Sequence, residues 1–170
     1  MKKLIGYIFL VSVAFLTMGC QEDPEPGGTA TQEVAGEWWV RVYVDDGDGV
    51  IDENDDIIGS YIKVMTFNTA LNTADSLWVY DVDNFWQFQV KAAFDKACKT
   101  FSVTEGKNAS YDSEVTITDG AVFLGQGKST SGVKTDSIYF SSSFSDDSPA
   151  YGTEYVIAGH RRTGFLEDEH

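Results

Sequence analysis

Beyond residue 33 no stretch of the chain carries apolar residues at helical spacing. Short runs instead alternate with a period of two and are separated by turn chemistry. Trp38, Val40, Val42 and Val44 fall on one face of a first strand, with Glu37 and Arg41 on the other. Further strands are predicted over 57–67, 76–82, 84–94, 99–104, 113–118, 121–125, 135–144 and 153–162. The run 84–94 alternates most cleanly: Trp86, Phe88, Val90, Ala92 and Phe94 oppose Gln87, Gln89 and Lys91. Asp83-Asn84, Glu105-Gly106-Lys107-Asn108, Asp119-Gly120 and Asp146-Asp147-Ser148-Pro149 supply hairpin connections, because Asx and Gly tolerate the positive φ of tight turns. The glycine- and serine-rich stretch 125–135 reads as a long loop. Eight or nine short strands joined in this way predict an antiparallel up-and-down sheet. Closing it into a barrel removes its exposed edges.

The chain before this region is of another kind. Lys2 and Lys3 precede an apolar run from Leu4 to Met18, shorter than the ~20 residues a permanent membrane helix needs. The run ends at Gly19-Cys20, which resembles a lipobox, so residues 1–19 are expected to be a leader and Cys20 the lipidation site. Gln21-Glu22-Asp23 resembles a surface-export signal, and 20–33 is expected to be a flexible tether. That leaves 34–170 as the barrel domain on the outer membrane, exposed at the cell surface. Cys98 is then the only free thiol, so no internal disulfide can form.

The full chain of 170 residues carries a formal charge of −15, with 12 basic and 27 acidic residues. Loss of Lys2 and Lys3 with the leader makes the balance more negative still. Such a surface repels nucleic-acid phosphates and argues against electrostatic docking to anionic lipid. An aromatic content of 14% supplies enough apolar area for a packed domain.

Gly36-Glu37-Trp38 at the first strand and Arg161-Arg162 at the last resemble the lipocalin and calycin signature. That resemblance implies a lipocalin-like barrel with Trp38 packed under Arg161 or Arg162 at its closed end; alternation does not choose between the two arginines. Taken with Asp83-Asn84-Phe85-Trp86 and Arg161-Arg162-Thr163-Gly164-Phe165, the chain resembles a family of Bacteroidetes lipoproteins described as lipid-binding putative hydrolases. The resemblance implies a lipid ligand. It brings no catalytic motif that falls on residues of this chain.

Trp86, Phe88, Trp78, Tyr80, Tyr139 and Phe140 lie in central strands and are the expected liners of an apolar pocket; the alternative is that they simply pack the interior. The loop 45–56 holds seven acids and no base. Placing Gly49 at the sixth position of a calcium loop puts Asp46, Asp48, Asp52 and Asp55 at ligand positions, but Val44 stands where the first ligand belongs. A solvated acidic hairpin is the competing reading, and no other cofactor is indicated. Hydrolysis would need His160 beside a Ser or Asp in a cleft, since His170 is the only other histidine and no GxSxG occurs. Asp75-Ser76-Leu77 and Asp136-Ser137-Ile138 resemble glycosylation triplets. The expected function is a non-catalytic, surface-tethered barrel for a lipid or other apolar small molecule. A lipid or ester hydrolase and an adhesion module with an unidentified surface protein partner are the alternatives.

Overall fold

A computed structural model describes residues 27–82 and 84–170. Eight strands form one closed antiparallel barrel in sequence order: β1 Gly36–Tyr43, β2 Ile62–Asn68, β3 Ser76–Tyr80, β4 Gln89–Asp95, β5 Thr100–Lys107, β6 Glu114–Lys128, β7 Lys134–Phe144 and β8 Tyr155–Arg161. β1 pairs with β8 from Trp38↔Arg161 to Tyr43↔Val156, so no sheet edge is left open. The lower end holds the start of β1 and the turns 69–75, 96–99 and 129–133. The upper end holds the loops 44–61, 81–88, 108–113 and 145–154.

The alternation read from the sequence sets the inside of the barrel. Trp38, Val40 and Val42 point inward and are fully buried, as are Val64, Val79, Val90, Ala92, Ile117 and Phe140. These side chains form the core of the barrel; eight strands enclose either a packed interior or room for one small ligand.

The strand expected over 57–67 begins only at Ile62, and four further expectations change. The strands expected at 113–118 and 121–125 are one fifteen-residue strand, because Asp119-Gly120 forms a bulge rather than a hairpin. Asp119 takes φ 53°, and a Cβ on Gly120 would lie 2.4 Å from the Phe101 carbonyl oxygen, so only glycine lets β5 come this close. Glu105-Gly106 likewise sits inside β5 at a register shift, and the connection it was expected to make lies at 108–113. The loop expected over 125–135 shrinks to 129–133, since β6 and β7 extend to Lys128 and Lys134. The run expected as a strand from 84 becomes β4 only at Gln89; residues 84–88 fold into the upper mouth instead.

Leader residues 1–19 and Cys20 lie outside the described residues. The end of the expected tether does not extend freely. Thr31 and Val34 are buried, Ala30 N–H donates to Asn72 Oδ1, and Lys99 pairs with Glu33 at 3.0 Å. Packing of the domain therefore begins before residue 34.

Candidate functional site

The lower end is sealed as its signature implies, and the structure selects Arg161 over Arg162. Its guanidinium carbon stands 4.5 Å from the Trp38 ring centroid. Nη1 and Nη2 donate to the Ala35 and Glu33 carbonyls at 2.6 and 2.8 Å, so the same side chain pins the incoming N-terminal turn. Nε stands 2.8 Å from Asp136 Oδ2, an ion-pair distance without hydrogen-bond alignment. Trp38 Nε1 donates to Thr66 Oγ1, which donates in turn to the Val34 carbonyl. Gly36 leaves the room: a Cβ there would lie 2.5 Å from Arg161 Nη1. Arg162 instead faces the C-terminal segment, pairing with Glu37 and Glu169.

The upper mouth is closed by a different device, built from the loop 81–88. Asp81 is fully buried, and its Oδ2 accepts the backbone N–H groups of Phe85, Trp86 and Gln87 at 3.1, 2.7 and 2.9 Å. Three donors converging on one carboxylate oxygen fold the loop back over the barrel. Phe85 and Trp86 thereby enter the mouth as a plug. The Trp86 ring stacks on Phe144 at 4.5 Å with an interplanar angle of 7°, and Phe85 meets Tyr155 edge-on at 5.1 Å.

Asp146 latches the plug from outside, accepting from Trp86 Nε1 at 3.0 Å and from the Tyr111 hydroxyl at 2.7 Å. Burial by itself would raise the Asp146 pKa; the Tyr111 and Trp86 donors outweigh it and hold the carboxyl below its ordinary range. A cleft of about 290 Å³ opens beside the latch, lined by Phe85, Trp86, Gln87, Tyr111 and Asp146.

Beneath the plug lies Ser142, which faces inward between Phe140 and Phe144 and pairs with Tyr155 across β8. Its hydroxyl is buried and makes no hydrogen bond among the described residues. An unpaired buried hydroxyl costs about 1–3 kcal/mol. A polar ligand atom reaching this depth would find a partner there.

The six expected pocket liners do not gather around one cavity. Phe88 and Phe140 are fully buried in the core, whereas Trp78, Tyr80 and Tyr139 point outward, because Leu77, Val79, Ile138 and Phe140 take the inward positions of β3 and β7. Only Trp86 stands at an opening. Phe85, Phe144, Tyr155, Asp146 and Ser142 build the upper mouth without a sequence pattern that marks them. A period-two pattern gives no sign that 84–88 leaves the strand, and Ser142 carries no motif. Another cleft, about 730 Å³, lies on the outer wall at the β5–β6 bulges, where Ser102, Thr104, Thr118 and Asp119 make its rim polar.

In the acidic loop, Asp45, Asp46 and Asp48 bring carboxylate oxygens within 4.8 Å of one another. Asp52 and Asp55 do not join them. Asp52 caps the short 3-10 turn Glu53–Asp55, and the buried Asp55 accepts the N–H groups of Asp46 and Asp52. The four ligands expected for calcium are thus split.

His160 lies on the outer wall rather than in a cleft. It is buried under Tyr61 and His170, with ring centroids at 5.4 and 6.3 Å, and its Nε2 makes no hydrogen bond among the described residues. Desolvation, and next the charge of His170, lowers its pKa. The hydrolytic arrangement needed a Ser or Asp at this nitrogen in an accessible cleft; the ring is instead covered by the C-terminal segment. Cys98 is exposed in the turn 96–99.

A family model described as lipid-binding putative hydrolase matches residues 23–166. No curated protein matches the chain.

Proposed function

The chain belongs to the family of lipid-binding putative hydrolases, and from that premise we propose that it is a lipid-anchored, non-catalytic barrel that takes the apolar tail of a lipid at its upper mouth. Acylation of Cys20 would hold it to the outer membrane at the cell surface, and the bound molecule would be a second lipid. Family and barrel fold support lipid binding; the place and manner are the proposal.

The observation that carries it is an aromatic plug at the mouth set over a buried, unpaired hydroxyl. The plug is held by four ring contacts, Phe85 and Trp86 each meeting Phe144 and Tyr155, by three N–H groups on Asp81 and by the Asp146 latch. Lifting the rings of Phe85 and Trp86 off Phe144 and Tyr155 forfeits aromatic contacts of about 0.5–1.5 kcal/mol each. Each methylene that takes their place gains about 0.8 kcal/mol. A tail of about ten methylenes gains ~8 kcal/mol, against ~2–6 kcal/mol for the four ring contacts and ~1 kcal/mol for the Trp86–Asp146 hydrogen bond, and the Ser142 hydroxyl can donate to a polar atom on it.

Native mass spectrometry of the protein extracted from its own membranes tests this reading. One lipid per barrel is expected beyond the acyl groups on Cys20. Trp86→Ala, which removes the plug's largest ring, is expected to change the bound fraction, and Ser142→Ala to lower it for lipids with a polar group near the tail. Unaltered occupancy in both variants would overturn the upper mouth as the binding place.

A further inference from the structure

We propose that the lower end of the barrel rests on the lipid surface, so that the anchored protein stands with its plugged mouth facing away from the membrane. This orientation depends on the Cys20 anchor proposed above, but it concerns a separate surface.

The two most exposed large apolar side chains among the described residues are Leu166, 90% exposed, and Leu71, 78% exposed. Both belong to the lower end. Leu71 lies in the turn between β2 and β3, and Leu166 follows the last strand. Phe165 and Val133, also exposed, are carried by the same segment and by the neighbouring β6–β7 turn. Ser131 N–H donates to Asp168 Oδ1 at 2.7 Å, which ties those last two segments together. Ala30 N–H donates to Asn72 Oδ1, so the N-terminal segment enters beside Leu71.

The position of Cys20 selects what covers this end. Eight residues lie between Cys20 and Thr29, where the chain joins the lower end, and the nine steps from one to the other reach about 30 Å when fully extended. An acyl anchor at Cys20 therefore keeps these side chains within a short distance of the headgroups, at a high effective concentration. Side chains such as Leu and Phe bury favourably at the boundary between headgroups and acyl chains.

Charge selects the same end. The loop 44–61 at the upper end carries seven acids and no base, and an anionic headgroup layer repels it. The lower end carries Lys96, Lys99, Lys128, Lys134, Arg161 and Arg162 against eight acids. The lower end is thus far less negative than the upper, and its contact with lipid rests on its apolar side chains rather than on charge.

The test uses the full-length acylated protein in vesicles of phosphatidylethanolamine and phosphatidylglycerol. An environment-sensitive fluorophore is placed on Leu71→Cys, Leu166→Cys or Val50→Cys, each with Cys98→Ser because Cys98 is exposed. All three labelled positions are exposed, so folding is not at stake. Probes at 71 and 166 are expected to shift to the blue and to be quenched by spin-labelled lipid, while the probe at 50 stays in water. Aqueous spectra at all three positions on protein that floats with the vesicles and carries the acyl mass would overturn the docking and leave the anchor standing. Lipid quenching at 50 would overturn the orientation. An intact mass without acyl groups, together with failure to float, would overturn both.

Discussion

The Arg161 guanidinium covers the Trp38 ring at 4.5 Å while two of its nitrogens hold the carbonyls of Ala35 and Glu33. One side chain thus joins the last strand, the first strand and the N-terminal turn. Arg161→Ala removes a cation–π contact and two charge-assisted hydrogen bonds, and is expected to destabilise the fold by about 3 kcal/mol. Arg162→Ala, which breaks partly exposed ion pairs, is expected to cost under about 1 kcal/mol. Urea unfolding of the two variants checks the difference; equal losses would contradict the role given to Arg161.

Stability should fall on acidification in a window set by Asp168. Burial pushes this carboxyl up, but the Ser131 N–H and the hydroxyls of Thr163, Ser129 and Ser131 outweigh it and bring the pKa to about 2. The folded pKa lies below the unfolded value near ~3.9. Its contribution is therefore complete above about pH 4 and is lost as the pH falls through about 2. Thermal unfolding of Asp168→Asn is expected to be less stable than wild type at neutral pH and to converge on it toward pH 2. A constant offset would contradict the assignment.

Asp81→Ala leaves the N–H groups of Phe85, Trp86 and Gln87 without their shared acceptor. Hydrogen exchange at these three amides is expected to accelerate, with a global loss of about 2–3 kcal/mol. Protection in β1 and β8 should change far less. If the three amides stay protected, Asp81 is not what holds the plug.

Alternation was enough to place the barrel, because its inward residues obey the two-residue period that burial on one face imposes. It failed where the backbone breaks that period. Asp119-Gly120 has the composition of a hairpin but makes a bulge, and local chemistry does not separate the two when the strand resumes in register with the same neighbour. At 84–88 the pattern continues through Trp86 and Phe88, yet the buried Asp81 captures three amides and turns the segment inward. That capture depends on a carboxylate several residues away and leaves no trace in periodicity. The lower seal was legible because Gly36, Trp38 and Arg161 act through steric room and a paired register. The choice between the two arginines needed the register itself, Trp38↔Arg161. The apolar liners were misplaced because aromatic residues occur on both faces of β3 and β7.

The most direct test of the central claim is an indole ¹⁵N–¹H spectrum of the delipidated protein titrated with palmitate. The chain has four tryptophans, Trp38, Trp39, Trp78 and Trp86, and Trp86→Phe assigns the plug resonance. A ligand entering by the upper mouth should break the Trp86 Nε1–Asp146 bond and shift that resonance first, leaving Trp38 at the sealed lower end unmoved. Saturable binding with Trp86 unshifted, or with Trp38 shifting in its place, would contradict the account.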